Sequence, residues 1–214
     1  MAHNESFDIA GPAGRLEAIL MKPEGEPAAA AVVCHAHPRH GGMMHFKVVF
    51  RAAKALQQHG VAALRFNFRG VGRSEGVHDQ GRGEQGDVRA ALDEAQRRFP
   101  GRRLVLGGFS FGSHMALRVG CSDPRVRALF ALGFPLSMIP DTSFLDECRK
   151  PSLFVQGEHD AFGDRAYVTA FVERLGPPRL LVVVPEGDHF FTGRLDALQE
   201  AVGSWAGGRP WEDS

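Results

Sequence analysis

The sequence of 214 residues lacks the features of nucleic-acid-binding, membrane-spanning and disulfide-rich proteins. It has no net charge, because 25 basic residues balance 25 acidic ones, and it has only three cysteines. Its longest apolar run, residues 28–34, is far shorter than the roughly 20 residues that span a bilayer. The balanced charge favours neither a nucleic-acid groove nor an anionic membrane surface as partner. A hydrophobic content of 43% suits an ordinary globular core.

The cysteines and the first residues predict where the protein resides. Cys34, Cys121 and Cys148 are an odd number, widely spaced, and form no C-x-x-C pair that would indicate a redox or zinc site. We expect all three to be reduced and mostly buried. Residues 1–11 lack the basic and apolar regions of a signal peptide. We therefore expect a cytoplasmic protein that binds neither nucleic acid nor membrane.

Short apolar runs alternate with amphipathic stretches along the chain. The runs are bounded by glycine, proline or charged residues and predict strands at residues 30–34, 62–66, 104–106, 128–132, 153–155 and 180–184. Their nearly continuous apolar character is typical of strands that helices cover on both faces. Helical spacing predicts helices at residues 46–59, 84–99, 111–120, 165–175 and 194–205. The alternation predicts an α/β fold with an open, mostly parallel, doubly wound sheet.

The two ends of the chain complete this architecture. Residues 6–10 and 15–21 flank a Gly-Pro-Ala-Gly turn and predict an N-terminal antiparallel hairpin at the sheet edge. The length suits one domain, which we predict to span residues 1–206. Residues 207–214 are expected to form a flexible C-terminal tail.

A G-x-S-x-G motif, Gly108 to Gly112, follows the strand predicted at 104–106 and opens the next helix. In this context the motif places Ser110 on a sharp turn, with its Oγ projecting above the carboxyl end of the sheet. The alternative is a glycine-rich turn in which Ser110 only caps the helix. The motif alone does not separate the two readings.

Two further loops that follow predicted strands carry acid-base side chains. Glu158, His159 and Asp160 come after the strand at 153–155, and Asp188 and His189 come after the strand at 180–184. Because the carboxyl ends of parallel strands share one edge of a sheet, Ser110, Asp160 and His189 can converge. Their chain order is that of enzymes with a nucleophile elbow.

With these residues in place, the chain resembles the α/β-hydrolases over nearly its whole length. Three blocks, His35 to Pro38, Leu64 to Gly76 and Gly108 to Gly112, resemble the small lidless bacterial serine hydrolases near the dienelactone hydrolases. The resemblance implies Ser110 as nucleophile, His189 as general base and acid, and Asp160 as the carboxylate that orients the imidazole. Dienelactone hydrolases usually have a cysteine nucleophile, so Ser110 argues against that activity.

The resemblance also nominates an oxyanion hole. Its donors would be the backbone N–H groups of Phe111, which follows the nucleophile, and of His37. His37 lies in a turn that matches the family's H-G-x-P with Ala36 in the glycine position.

Several titratable residues have competing interpretations. Glu158 and Asp164 are alternatives to Asp160, although the family pattern G-x-x-D favours Asp160, with Glu158 as the next choice. The histidines at 35, 37, 40 and 45 could indicate a metal site, but Arg39 stands where that pattern needs a carboxylate and would repel the ion. We expect no metal. Glu84 and Asp87 are expected to complement a helix dipole, and His114 to pack beneath the elbow.

These observations predict a serine ester hydrolase that forms an acyl-enzyme and needs no cofactor. About twenty residues separate the strands at 128–132 and 153–155, too few for a helical cap, so a small, short-chain ester is the expected substrate. A thioesterase, a peptidase on the same triad, or a non-catalytic binding protein with this fold remain alternatives. The oligomeric state, monomer or homodimer, stays open.

Overall fold

The sheet is built from the apolar runs of the sequence, extended by a few residues at their ends. The computed structural model describes residues 3–212. Its strands are β1 (His3–Gly11), β2 (Gly14–Lys22), β3 (Ala29–Cys34), β4 (Val61–Phe66), β5 (Arg103–Phe109), β6 (Val126–Leu132), β7 (Ser152–Gly157) and β8 (Arg179–Val184). The helices are α1 (Lys47–Gln58), α2 (Arg82–Arg98), α3 (Phe111–Ser122), α4 (Arg165–Leu175) and α5 (Leu195–Gly207).

The eight strands form one sheet in the order β1-β2-β4-β3-β5-β6-β7-β8. β1 pairs antiparallel with β2, and β2 pairs antiparallel with β4. All pairs from β4 to β8 are parallel. The predicted α/β class, the mostly parallel sheet and the N-terminal hairpin are confirmed.

The helices cover both faces because successive side chains of a strand point in opposite directions. In β3, Ala30, Val32 and Cys34 pack in one core cluster together with apolar residues of α2, α3 and α4. The alternating residues Ala29, Ala31 and Val33 pack in a second cluster with α1 and α5. The central strands are therefore buried on both sides, as their apolar runs predict.

No cap covers the carboxyl end of the sheet in the described part of the chain. Residues 133–151 connect β6 to β7 through two single-turn 3₁₀ helices, Leu136–Met138 and Ser143–Leu145. None of the helices within residues 3–212 is both long and apolar enough to cross a membrane.

The structure differs from the sequence prediction at the C-terminal tail. Gly207 is the last residue of α5, and Trp211 is fully buried in the core cluster that contains α1 and α5. The indole packs among apolar residues of distant segments of the chain. The amino-acid composition near the end of a chain does not reveal such contacts. Residues 213 and 214 lie outside the described range.

The expectation of three reduced cysteines is wrong. Cys121, in the last turn of α3, forms a disulfide with Cys148 in the connection that precedes β7. Cys34 is the free cysteine and is buried in β3. The pairing joins residues 27 apart in sequence, and the helix and the loop meet only in the folded chain.

A Cys148→Ser variant should therefore unfold more easily. Closing a loop of this length restricts the unfolded chain, and the loss should lower the free energy of unfolding by about 2–4 kcal/mol in urea titrations. Reductant should lower the free energy of the wild type by a similar amount and leave that of the variant unchanged. A wild-type value that reductant does not change would contradict the disulfide.

Candidate active site

The loop between β5 and α3 is a sharp turn with Ser110 at its apex. Ser110 has φ 54° and ψ −122°, a strained backbone conformation for a residue with a side chain, and its N–H donates to Leu132 O at 2.9 Å. A Cβ at Gly108 would lie 2.6 Å from Cys34 O, and one at Gly112 would overlap His35 O. The two glycines of the motif are thus needed because the end of β3 lies directly against the turn.

His189 joins Ser110 to a buried carboxylate. Its Nε2 lies 2.9 Å from Ser110 Oγ, and its Nδ1 lies 2.8 Å from Asp160 Oδ2. Asp160 and His189 are 2% and 6% exposed, so water hardly competes for this hydrogen bond. With a proton on Nδ1, the imidazole donates to Asp160 and its Nε2 accepts the Ser110 hydroxyl.

The loop after β3 lies beside the elbow and is held by His35. This side chain is fully buried, its Nδ1 lies 2.6 Å from Ala36 O, and its Nε2 accepts the N–H of Phe68 at 3.0 Å. Burial lowers the pKa of His35 to about 4, so the ring is neutral near pH 7 and its Nδ1–H donates to Ala36 O. Because Ala36 C=O and His37 N–H belong to one planar peptide, this bond sets the direction of the His37 N–H.

Phe111, the residue after Ser110, packs against the same loop. Phe111 is the first residue of α3, and the first N–H groups of a helix have no partner within it. The rings of Phe111 and His37 are in contact, with centroids 5.1 Å apart. His37 and Phe111 thus lie side by side.

Comparisons with known proteins identify the family. The sequence model of the family described as "Alpha/beta hydrolase domain" matches residues 29–203. This range includes Ser110, His189, Asp160 and the loop after β3. The chain belongs to the α/β-hydrolase superfamily. The superfamily and its solved neighbours support a hydrolase, whereas the dienelactone hydrolase group is not singled out and stays a prediction.

Three similar proteins illustrate the match of this α/β hydrolase. An alpha-beta serine hydrolase homologue from Coxiella burnetii is 38% identical, with TM-score 0.88 over 94% of this chain and 96% of that one. XC6422 from Xanthomonas campestris, described as a serine hydrolase without lid, is 34% identical, with TM-score 0.88 over 98% and 95%. The uncharacterized protein RP471 of Rickettsia prowazekii is 35% identical over 91% of this chain and 85% of its own.

Gln156 supports the carboxylate of this hydrolase and was not among the residues predicted from sequence. It is fully buried in β7, and its Nε2 donates to Asp160 Oδ2 and to Gly163 O, both at 2.9 Å. The N–H of Phe162 donates to Asp160 Oδ1 at 2.8 Å. These bonds fix both carboxylate oxygens. The signal in the sequence that could have identified Gln156 is its polar side chain directly after the apolar run of this strand.

Glu158, the alternative carboxylate, lies elsewhere. It accepts hydrogen bonds from the Glu186 N–H at 3.1 Å and from Arg165 at 3.2 Å, on the outer surface of the loop. The backbone bond from Glu186, together with Arg165, lowers the pKa of the Glu158 carboxyl. The structure therefore brings Asp160, and not Glu158, to His189.

Among the described residues, the group whose geometry would fit a metal ion is not the histidine-rich loop. It is Glu158, His159 and Glu186, mostly exposed, with Glu158 paired to Arg165. In the histidine-rich loop, His37 stacks instead on His40 with centroids 4.5 Å apart.

Glu84 and Asp87 do more than complement the dipole of α2. Both are fully buried. Asp87 accepts hydrogen bonds from Nε and Nη2 of the Arg69 guanidinium and from the Arg69 backbone N–H. Glu84 accepts the N–H groups of Asp79 and Gly81 at 2.9 and 2.8 Å. The two carboxylates therefore anchor the loop between β4 and α2, which borders the site.

The buried histidines should make stability fall in acid. Burial lowers the pKa of His35 to about 4, and burial with the Arg118 charge lowers that of His114 to about 4, whereas an unfolded histidine has a pKa of about 6.5. The unfolded chain thus binds these protons first. The contribution of these histidines to the free energy of unfolding is fully present above pH 6.5 and is lost as the pH falls toward 4. For His35 the loss is up to about 3 kcal/mol.

A His35→Asn variant should show a smaller loss between these pH values, measured as the free energy of unfolding at each pH. The asparagine amide keeps a donor near Ala36 O and does not titrate. His159→Asn, at an exposed ring, is the matched control and should keep the wild-type slope. Equal slopes for His35→Asn and wild type would contradict the assignment.

Proposed function

We propose that this α/β hydrolase is a serine carboxylester hydrolase that cleaves small acyl esters through an acyl-enzyme. Ser110 is the nucleophile, His189 the general base and acid, and Asp160 the orienting carboxylate. The observation that carries the proposal is the continuous pair of contacts, 2.9 Å from Ser110 Oγ to His189 Nε2 and 2.8 Å from His189 Nδ1 to Asp160 Oδ2.

In the first step Ser110 Oγ attacks the ester carbonyl carbon while His189 Nε2 takes the hydroxyl proton. The buried Asp160 stabilises the imidazolium that forms. The C–O bond to the leaving alcohol then breaks, and His189 returns the proton to that alcohol. A water molecule, deprotonated by His189, then attacks the acyl-enzyme and breaks the acyl C–Oγ bond. His189 returns the proton to Ser110 Oγ as the acid leaves.

The negative charge that develops on the carbonyl oxygen needs donors that are already in position. The N–H groups of Phe111 and His37 are the proposed pair, and each such donor is worth about 2.7–4 kcal/mol of barrier. The bond from His35 to Ala36 O, which sets the direction of the His37 N–H, supports this assignment.

The surroundings of His189 support a small substrate in an open site. Phe162 and Phe190 pack on the imidazole with ring centroids 4.6 and 5.2 Å away, and Phe190 is 51% exposed. Residues 133–151, where related folds can insert a cap, hold only two single turns of 3₁₀ helix. A long acyl chain would leave most of its apolar surface in water, so short chains gain the most binding free energy per carbon.

Replacing the nucleophile should abolish the reaction. We expect a fluorophosphonate probe to label the wild type and not Ser110→Ala, and p-nitrophenyl butyrate turnover to fall by at least about 10⁴-fold in the variant. Ser204→Ala, an exposed serine on α5, is the matched control and should react as the wild type does. Labelling of Ser110→Ala would overturn the proposal, and faster turnover of decanoate than of butyrate would overturn its small-substrate part.

The choice between the two carboxylates gives a second test. Asp160→Asn should lower kcat by about 10⁴-fold, because an amide leaves the imidazole in the wrong tautomer. Glu158→Gln removes the same charge two residues away and should leave kcat unchanged, because Glu158 bonds to Glu186 and Arg165. The reverse ranking of the two variants would show that Glu158 is the orienting carboxylate.

A further inference from the structure

A cleft of about 460 Å³ opens beside the proposed oxyanion donors. Its lining residues are His37, Arg39, His40, His78, Gln80 and Phe111. Two of them, His37 and Phe111, are also the residues whose amides are assigned to the oxyanion hole. The cleft therefore adjoins the place that the proposed function gives to the ester carbonyl.

The cleft has at its mouth a cation, Arg39, with no ion-pair partner in the described part of the chain. Among residues 3–212, no acidic side chain forms an ion pair with the exposed Arg39. The nearby acids are engaged elsewhere: Asp87 with Arg69, Asp79 with Arg82. Glu84 is fully buried, and its carboxylate oxygens accept hydrogen bonds from backbone N–H groups. One oxygen also lies 2.8 Å from His78 Nδ1. This contact is short enough for an ion pair but is not oriented as a hydrogen bond. A cation at the mouth of a polar cleft, without a partner of its own, favours an anionic group on the substrate.

The sheet order decides which part of the substrate reaches this charge. Ser110 follows β5, the cleft residues His37 and His78 follow β3 and β4, and His189 follows β8, on the opposite side of β5. The leaving oxygen must lie near His189 Nε2, since that nitrogen returns the proton to it. The leaving group therefore lies toward Phe162 and Phe190, which leaves the side of the cleft to the oxyanion and the acyl group.

We infer that the cleft binds a carboxylate at the far end of the acyl group, so that the preferred substrates are monoesters of short dicarboxylic acids, with Arg39 as the specificity-determining residue. This inference rests on the proposed function. The chemistry is the same acyl transfer: the Ser110 Oγ–C bond forms, the C–O bond to the alcohol breaks, His189 gives the alcohol its proton, and water releases the dicarboxylate.

The test compares mono-p-nitrophenyl adipate with its neutral methyl ester, two substrates of matched length that differ in the terminal charge. The measured quantity is the ratio of their kcat/KM values, which cancels differences in enzyme concentration and folding. The wild type should prefer the charged ester. Arg39→Gln should lower the ratio by about 3- to 5-fold, the size expected for an exposed ion pair, and added salt should lower the wild-type ratio.

Arg89→Gln is the matched control because it removes an exposed arginine from α2, outside the cleft, and it should keep the wild-type ratio. A second pair of substrates, 4-carboxyphenyl hexanoate and its methyl ester, places the charge on the leaving group. Their ratio should not depend on Arg39.

Three outcomes would overturn the inference. If Arg39→Gln leaves the ratio unchanged, Arg39 does not select the substrate. If the wild type does not prefer the charged adipate, the cleft does not favour an anionic acyl group. Dependence on Arg39 for the 4-carboxyphenyl pair alone would reverse the orientation. In each case fluorophosphonate labelling of Ser110 and turnover of the neutral ester would leave the proposed function intact, and their absence would instead refute that function.

Discussion

The close backbone contact between the end of β3 and the elbow that carries Ser110 is the constraint on which the rest of the site depends. Side chains at Gly108 and Gly112 would overlap the carbonyl oxygens of Cys34 and His35, so the contact exists only with glycine at both positions. It brings the loop after β3 beside the first amide of α3, and thus places the two proposed oxyanion donors together. The strained backbone of Ser110, which costs about 1–3 kcal/mol, is maintained because β3, β6 and α3 all bind the turn.

A second set of buried polar contacts keeps the loops around the elbow in place. Gln156 fixes Asp160, Asp87 binds Arg69, and His35 bridges Ala36 and Phe68. Each of these groups is buried, so a broken bond would leave an unpaired polar atom, at a cost of about 1–3 kcal/mol. Such a penalty makes alternative loop conformations unfavourable. A triad on flexible loops would lose the aligned geometry that proton transfer needs.

Side chains whose placement follows from their position after a strand could be predicted from the sequence. Ser110, Asp160 and His189 each follow an apolar run, and parallel strands bring such positions to one edge. Residues whose role depends on contacts between distant segments could not be predicted: Gln156, the pairing of Asp87 with Arg69, the disulfide between Cys121 and Cys148, and the burial of Trp211. β5 is also longer than predicted, because Gly107 and Gly108 continue the strand where the ring of Phe130 and the end of β3 leave no room for a side chain. In the sequence these two glycines indicated a turn, whereas in the fold they allow close packing.

The order of strands also determines the polarity of the site. β7 and β8 bring the acid-base side chains to one side of Ser110, where the aromatic rings of Phe162 and Phe190 pack on His189. β3 and β4 bring amides, histidines and Arg39 to the other side. In the proposed reaction a proton is transferred on the first side, and negative charge is stabilised on the second. Because both requirements are met by loops on opposite sides of β5, the charge of the acyl side can change through residues such as Arg39 without altering the contacts between Ser110, His189 and Asp160.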